Sequence, residues 1–470
     1  LYQRFNAFRR TGGVSATFSV IPDEMTLRPC LNIILAAGQG TRMKSQLPKV
    51  LHPIAGLPML AHAMNAAAAS GPGSLAVVVA AGAETTMEAA RAVYPEAKFF
   101  VQEPPLGTAH AVLAAREALE GFSGDVTVLY GDTPLMTAGT LARLRVALAE
   151  GADAVVLGFD AASPAGYGRL IRDEAGRLIA IREEKDATDE ERAITFCNSG
   201  VMGFRAGVLL PLLSRIGNGN AKGEYYLTDA IELAAGDGAK VCAIECSETE
   251  VLGVNDRIQL AAAEALMQQR LRTAAMAEGV TMLSPETVTL SWDTWFGRDV
   301  TIEPNVFFGP GVAVEDNVRI KAFCHFERAR IREGAVVGPF ARLRPDADVG
   351  PGAHIGNFVE IKNAVVEAGA KANHLAYVGD ARVGAGANIG AGAITCNYDG
   401  FAKHKTDIGT GAFVGSNCSL VAPVRIGDGA YVGSGSVVTK DVASDALAIE
   451  RSSQKELPGW AARVRARHGK

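Results

Sequence analysis

From about residue 300 the chain adopts a period of six, and that period limits its fold more than any other feature. Aliphatic or aromatic residues stand at 302, 308, 314, 320 and 326. The phase then slips by one and resumes at 331, 337, 343, 349, 355 and 361; a third register runs 408, 414, 420, 426, 432 and 438. Glycine often follows the apolar residue, as at Ile355-Gly356, Val378-Gly379, Ile389-Gly390, Ile426-Gly427 and Val432-Gly433. A period of six fits neither a helix, which repeats at about 3.6, nor an alternating strand, which repeats at about 2. It fits a β-helix, in which each hexapeptide forms one flat face and its apolar residue points into the stack. Small residues and glycine take the tight corners. Residues 396–407 (CNYDGFAKHKTD) interrupt the run and must loop out of the coil.

The first half is built differently. Short apolar runs at 31–37, 77–82, 125–132, 152–159 and 240–246 are separated by alanine- and leucine-rich stretches such as 56–70, 107–120 and 137–150. Buried strands alternating with helices predict a mostly parallel sheet covered on both faces, with ligands at the carboxyl ends of the strands. The runs 31–37 and 125–132 both end in glycine-containing polar turns, so that edge is where a site is expected. Residues 255–279 predict one long helix between the halves. Composition supports the division: glycine is 52 of 470 residues, and its excess lies mostly after residue 296, where 24 of them fall in 174 residues. A net charge of −5 argues against a general nucleic-acid binder. The seven cysteines are scattered, with no CxxC pair, which predicts reduced thiols in a cytoplasmic protein rather than a disulfide framework or zinc site. No apolar run approaches the ~18 residues of a membrane span. The first 24 residues carry Arg4, Arg9 and Arg10 before any acid. They read as an over-long translation ahead of Met25, or as a transit peptide.

Residues 35–49, LAAGQGTRMKSQLPK, follow the first strand directly. The loop has no Walker A pattern and lacks the third glycine of a dinucleotide fingerprint. Gly38 and Gly40 nevertheless let backbone N–H groups approach phosphate oxygens, and Arg42 and Lys49 add fixed positive charge at the same turn. Tyr130-Gly131-Asp132 ends another buried strand. Asp132 has two readings: the N-cap of a helix starting near Thr133-Pro134, or a ligand of Mg²⁺, which takes one or two protein groups and fills its shell with phosphates and water.

In the β-helix, Arg344 and Lys362 lie on successive coils and can grip a sugar phosphate. His374 sits in KANHLAY, where the six-residue phase is poorly kept, so a core position is not expected for it. Asn397 and Tyr398 stand in the interrupting loop, and the tail after Trp460 carries Arg463, Arg465, Arg467 and Lys470 with no acid. Acyl transfer to a sugar amine asks for a base near pKa 7, which histidine supplies, and for donors to the oxyanion.

Together with VQEPPLGTAHA (101–111), GYGR (166–169), REEKDAT (182–188), CNSG (197–200) and GVND (253–256), the loop 35–49 and the turn 130–132 resemble the sugar nucleotidylyltransferases. FARLRPDA, NFVEIKNA, NHLAYVGDA, NIGAGAITCNYDG and VGSNCSLVAPV match an acetyltransferase half. Over about residues 30 to 460 the chain is similar to the bifunctional N-acetylglucosamine-1-phosphate uridylyltransferases and glucosamine-1-phosphate acetyltransferases of bacterial cell-wall synthesis. That resemblance implies an α/β protein: a Rossmann-like nucleotidylyltransferase domain at 29–253, a linker helix at 254–280 and a left-handed parallel β-helix at 281–452. An N-terminal extension at 1–28, expected to be disordered, and a basic tail at 453–470 flank these. Gly38, Lys49, Gln102, Gly107 and Thr108 would hold UTP, beside Tyr130 and Gly131. Asp132 and Asn255 would hold Mg²⁺. Gly168, Glu183 and Asn198 would contact the sugar phosphate, and Arg42 would stabilise triphosphate charge. Arg344, Lys362, Tyr377 and Asn388 would bind glucosamine 1-phosphate. His374 would be the general base, oriented by Glu360, and Asn397 and Tyr398 would continue the site. Ala391, Ser416, Ser434 and Arg451 would contact acetyl-CoA. The implied partners are these small molecules, N-acetylglucosamine 1-phosphate and two further copies of the chain in a homotrimer, with neither nucleic acid nor membrane. Ser199 and Ser434 depart from the usual Thr and Ala. The early coils, about 284–330, match less crisply, and His325 reads as structural. The competing readings are a single-activity nucleotidylyltransferase on a scaffold-only β-helix, and a regulatory subunit with a degenerate catalytic domain.

Overall fold

A computed structural model describes residues 27–469. Most of the expected extension, residues 1–26, lies outside that range, as do both readings of residues 1–24. Leu27 and Arg28 belong to the ordered fold: Leu27 is buried, and Arg28 pairs with Asp125 at 2.6 Å. The chain divides into two compact units after Met267.

In the first unit the main sheet runs in the order Val241–Glu245, Ala154–Asp160, Phe196–Arg205, Asp125–Tyr130, Cys30–Leu35, Gly73–Ala80, Lys98–Gln102. Phe196–Arg205 is antiparallel to both neighbours, and the other pairings along this order are parallel. Cys30–Leu35 (CLNIIL) is buried at every position because both faces are covered. Its alternate residues feed two cores. Leu31, Ile33 and Leu35 join one with Val112, Leu209 and Ile231; Ile34 joins the other with Leu60, Met64 and Leu144. The expected helix at 107–120 is broken at Ala115 into Thr108–Ala114 and Arg116–Leu119.

Helix Arg257–Ala277 contains the unit boundary. The second unit is a coil of short strands in three parallel sheets of ten, eight and eight strands. The six-residue registers are its inward positions. Ile302, Ile320, Val337, Ile355, Ala372, Ile389, Val414 and Val432 stack in one sheet, and Phe308, Phe326, Leu343, Ile361 and Val378 in the next. Val314, Ile331, Val349, Val366 and Val383 line the third. The phase slip after Phe326 is a face one residue shorter, turning through Arg328 at φ 42°. KANHLAY corrects an expectation: the phase is kept there, by Val366, Ala372 and Val378, all buried. The small side chain of Ala372 hides the pattern. Thr395 puts a polar residue in one of these registers: it is 3% exposed, takes a hydrogen bond from Gly379 N–H at 2.8 Å and donates to Gly379 O at 3.0 Å.

Candidate active sites

The parallel strands Cys30–Leu35 and Asp125–Tyr130 are in register through Leu35 and Tyr130, so their carboxyl ends coincide. Gly131 N–H donates to Leu35 O at 2.9 Å, which ties the two turns together. Gly40 has φ 62°, and a Cβ there would lie 2.5 Å from Lys49 Cβ, so glycine is what lets the loop close over Lys49. Gly38 has open space where a side chain would be, which leaves its backbone approachable. Arg42 is exposed on the short turn Thr41–Met43, which Arg257 holds by donating from Nε to Met43 O at 3.3 Å. The Lys49 ammonium pairs with the Asp132 carboxylate and donates to Asn255 Oδ1 at 3.1 Å. The cap reading of Asp132 is overturned: the following helix begins at Ala138, and Thr137 caps it by accepting from Thr140 N–H at 3.2 Å. Asp132 is thus free for other chemistry. Asp132 and Asn255 present two hard oxygens to one ammonium, and a Mg²⁺ ion, which prefers oxygen and needs few protein ligands, fits that donor set.

The remaining predicted residues form a second group. Gln102 Nε2 donates to Gly107 O at 3.0 Å, and Thr108 Oγ1 accepts from Leu227 N–H at 2.9 Å. Gly107 has φ 114° and would bring a Cβ within 2.6 Å of Tyr225 O, so only glycine lets this loop reach the 225–228 segment. Asn198 N–H donates to Gly168 O at 2.8 Å, and Asn198 Oδ1 accepts from Gly200 N–H at 2.9 Å. Ser199 Oγ accepts from Val201 N–H at 3.1 Å, a role threonine would also fill. Burial raises the Tyr130 phenol, with Glu183 and Asp132 adding to the effect. Glu183 accepts from Thr228 Oγ1 at 3.3 Å, and burial pushes its carboxyl up. Glu183 also lines a cavity of about 280 Å³ with Asp186, Asn220, Tyr226 and Asp229. Tyr226 is 7% exposed, and its hydroxyl is without a partner among the described residues. Tyr226 and Thr228 were not singled out from sequence; EYYLTD reads as the approach to a helix.

On the β-helix the predicted residues fall on one edge. Counting two residues past the inward positions Ile355, Ala372, Ile389, Val414 and Val432 gives Asn357, His374, Ala391, Ser416 and Ser434, one above another. Each stands just before a corner residue in the left-handed region: Phe358, Leu375, Gly392, Asn417 and Gly435. Ser416 N–H donates to Ser434 Oγ at 3.2 Å, which gives the unusual Ser434 hydroxyl a partner, and Arg451 donates to Ser434 O at 2.7 Å. The expected Glu360–His374 contact is corrected. His374 Nδ1 lies 2.7 Å from Asn357 Oδ1, while Glu360 accepts from Arg344 at 2.8 Å. Strand register explains this, because Asn357 is the direct neighbour of His374 and Glu360 that of Tyr377. Asn388 neighbours Lys371 and Phe413 on the preceding face.

Lys362 follows Ile361 as Arg344 follows its register partner Leu343, and both stand at the far end of the face that begins after the His374 corner. Lys403, from the interrupting loop, faces Lys362 closely enough to hold its ammonium below the usual range, with burial and Arg344 adding to the effect. Sequence did not single out Lys403. Asn397 donates to Asp380, as does Asn363 at 2.5 Å. Burial pushes the Asp380 carboxyl up, but those hydrogen bonds and the charges of Lys403 and Lys362 outweigh it, and the net direction is down. Asn397 also lies 3.4 Å from Tyr377 Oη. Tyr398 is exposed, with its hydroxyl donating to Gly400 O at 2.6 Å. His325 is half-exposed and stacks on Phe307 at 4.6 Å, away from these groups.

Residues 32–194 match the MobA-like NTP transferase domain, and residues 328–363 and 405–440 match the bacterial transferase hexapeptide repeat. The chain is 58% identical to the bifunctional protein GlmU of Azorhizobium caulinodans over 446 residues, 95% of this chain and 99% of that one. It is 60% identical to the protein of the same name from Nitrobacter hamburgensis over 442 residues, 94% and 97% of the two chains. For that of Agrobacterium fabrum the identity is 55% over 440 residues, again 94% and 97%. A nucleotidyltransferase fold and a hexapeptide β-helix in one chain, matched over nearly its whole length, place it in the family of bifunctional GlmU proteins, which combine UDP-N-acetylglucosamine diphosphorylase and glucosamine-1-phosphate N-acetyltransferase activities.

Proposed function

We propose that the β-helix acetylates glucosamine 1-phosphate from acetyl-CoA and that the N-terminal sheet then transfers UMP from UTP to the N-acetylated product, releasing pyrophosphate. The observation that carries the first step is a solvent-facing histidine at one corner of an otherwise repetitive coil, with three cations gathered at the far end of the face that follows it. A scaffold-only β-helix gives no reason for that gathering of charge. Arg344, Lys362 and Lys403 hold the sugar phosphate. His374 takes a proton from the sugar ammonium, so the free amine can attack the thioester carbonyl. Asn357 fixes the ring by its contact with Nδ1 and leaves Nε2 as the base. Backbone groups at Ala391, Ser416 and Ser434, with Arg451, line the acetyl-CoA path along the same edge. Asn388, Tyr377, Asn397 and Tyr398 complete the walls.

In the second step the sugar phosphate is already an anionic nucleophile, so positioning and charge neutralisation suffice. Gln102, Gly107 and Thr108 seat the nucleotide, and Gly38 offers open backbone to the phosphates. Lys49 and Arg42 neutralise the triphosphate, while Glu183, Asn198 and Gly168 hold the sugar. Asp132 and Asn255 would hold Mg²⁺, which when bound shields phosphate charge. The domains at 29–253, 254–280 and 281–452 carry out these tasks in a cytoplasmic homotrimer. Supporting the trimer, Phe323, Phe340 and Phe358 are 52%, 45% and 55% exposed and stack in a ladder with 5.0 Å spacing along one corner of the coil. For the location, none of the described helices is long and apolar enough to cross a membrane, and the cysteines are free.

The test separates the two activities. His374→Ala is expected to abolish acetyl transfer and leave UTP-dependent pyrophosphate release intact; Asp132→Ala should do the reverse. Loss of both activities in either folded variant would refute the division.

A further inference from the structure

One side chain organises the loop that leaves the coil at 396–407. Asp399 Oδ1 accepts the N–H groups of Phe401 at 2.8 Å and Ala402 at 2.7 Å, and Asp399 N–H donates to Ala402 O at 3.2 Å. Its other oxygen, Oδ2, lies 2.7 Å from His404 Nε2. His404 N–H closes the base of the loop by donating to Asn397 O at 2.9 Å, and Tyr398 and Lys403 form a single antiparallel bridge inside it. Those N–H donors and His404 hold the Asp399 carboxyl far below the usual carboxylate range. Lys403 is the residue just before His404, and its side chain faces Lys362.

Lys362 and Lys403 repel one another, and Asp380 offsets that charge only in part. Side chains as long as lysine would drift apart unless the backbone under one of them were fixed. The coil fixes Lys362. The loop fixes Lys403, and the tie across it joins Asp399 to His404.

We propose that the Asp399–His404 pair is a positioning clasp that sets Lys403 at the phosphate site of the acetyltransferase. The inference rests on the assignment of Arg344 and Lys362 to glucosamine 1-phosphate. His404 touches no reacting atom; it acts through Lys403. Both partners of the clasp are partly exposed, with side chains 33% and 48% accessible, so its effect is modest.

Steady-state acetyl transfer by the full-length protein tests the clasp, with each substrate varied in turn. His404→Ala is expected to raise KM for glucosamine 1-phosphate about three- to fivefold, in keeping with the loss of one part-exposed hydrogen bond. The kcat, the KM for acetyl-CoA and UMP transfer should hold. His404→Gln, whose amide reaches as far as Nε2, should restore the KM to near the wild-type value. Lys403→Met should raise the same KM at least as much as His404→Ala does. If Lys403→Met raises it and His404→Ala does not, the clasp is wrong and the phosphate assignment stands. If Lys403→Met leaves it unchanged, the phosphate assignment itself fails. A fall in kcat with both KM values disturbed in His404→Ala would mean general loop collapse and would also overturn the clasp.

Discussion

Asp229 shows how burial and neighbouring charge set a single residue in the nucleotidyltransferase half. Burial first, then Glu232 and Glu183, push its carboxyl up to about 6. In the unfolded chain such a group titrates near ~3.9. A raised carboxyl favours its protonated form in the fold, so its contribution is complete below the unfolded value and is lost as pH rises through about 6. Asp229→Asn, which never ionises, should therefore raise the unfolding temperature at pH 8 by a few degrees and have little effect at pH 4. Thermal melts at the two pH values check this; equal shifts at both would refute it. Neither Asp229 nor Tyr226 was legible in the sequence, because nothing in EYYLTDAIEL separates a helix start from a cavity wall. His374 was located for a partly mistaken reason: the phase holds through Ala372, and the ring is exposed because it stands at a corner. Lys403 escaped notice because its importance comes from a contact with Lys362 that only the folded loop creates.

Elements were legible in proportion to how simply their burial is coded. Each β-helix face turns one large apolar residue inward, so the six-residue period announces the coil directly. Phe196–Arg205 was missed because Asn198-Ser199-Gly200 looks like a turn; in the fold the strand continues past an irregularity between Asn198 and Met202. Lys98–Gln102 was missed because its apolar run, Phe99-Phe100-Val101, is only three residues long, and none of the three is fully buried. Thr395 breaks the inward pattern with a hydroxyl that serves both backbone groups of Gly379 on the coil below. Thr395→Val keeps the shape but strands two buried backbone groups, at a cost of about 1–3 kcal/mol each at most. The expected outcome is a lower denaturation midpoint for the β-helix and weaker acetyl transfer, since Asn397 and Tyr377 flank that position. Chemical denaturation followed by both activity assays checks it; an unchanged midpoint would show that the hydroxyl contributes no net stability.

At the scale of the molecule, the cores of the two halves have no residue in common. The β-helix core runs from Val280 to Val438, while the two cores of the sheet are built from residues between Leu31 and Val251. Cooperative unfolding follows the contiguous core, so each half should lose structure, and its own activity, as a separate unit. Leu343 is fully buried in the β-helix and Leu144 under the sheet. Truncating either to alanine removes about 2–5 kcal/mol by lost burial plus the cavity left behind. In heated samples assayed after cooling, Leu343→Ala should lower the temperature at which acetyl transfer is lost and leave that for UMP transfer unchanged. Leu144→Ala should do the opposite, and calorimetry should show one transition moving while the other stays. If either variant shifts both losses together, the halves unfold as one cooperative body, and the independence argued from their separate cores is wrong.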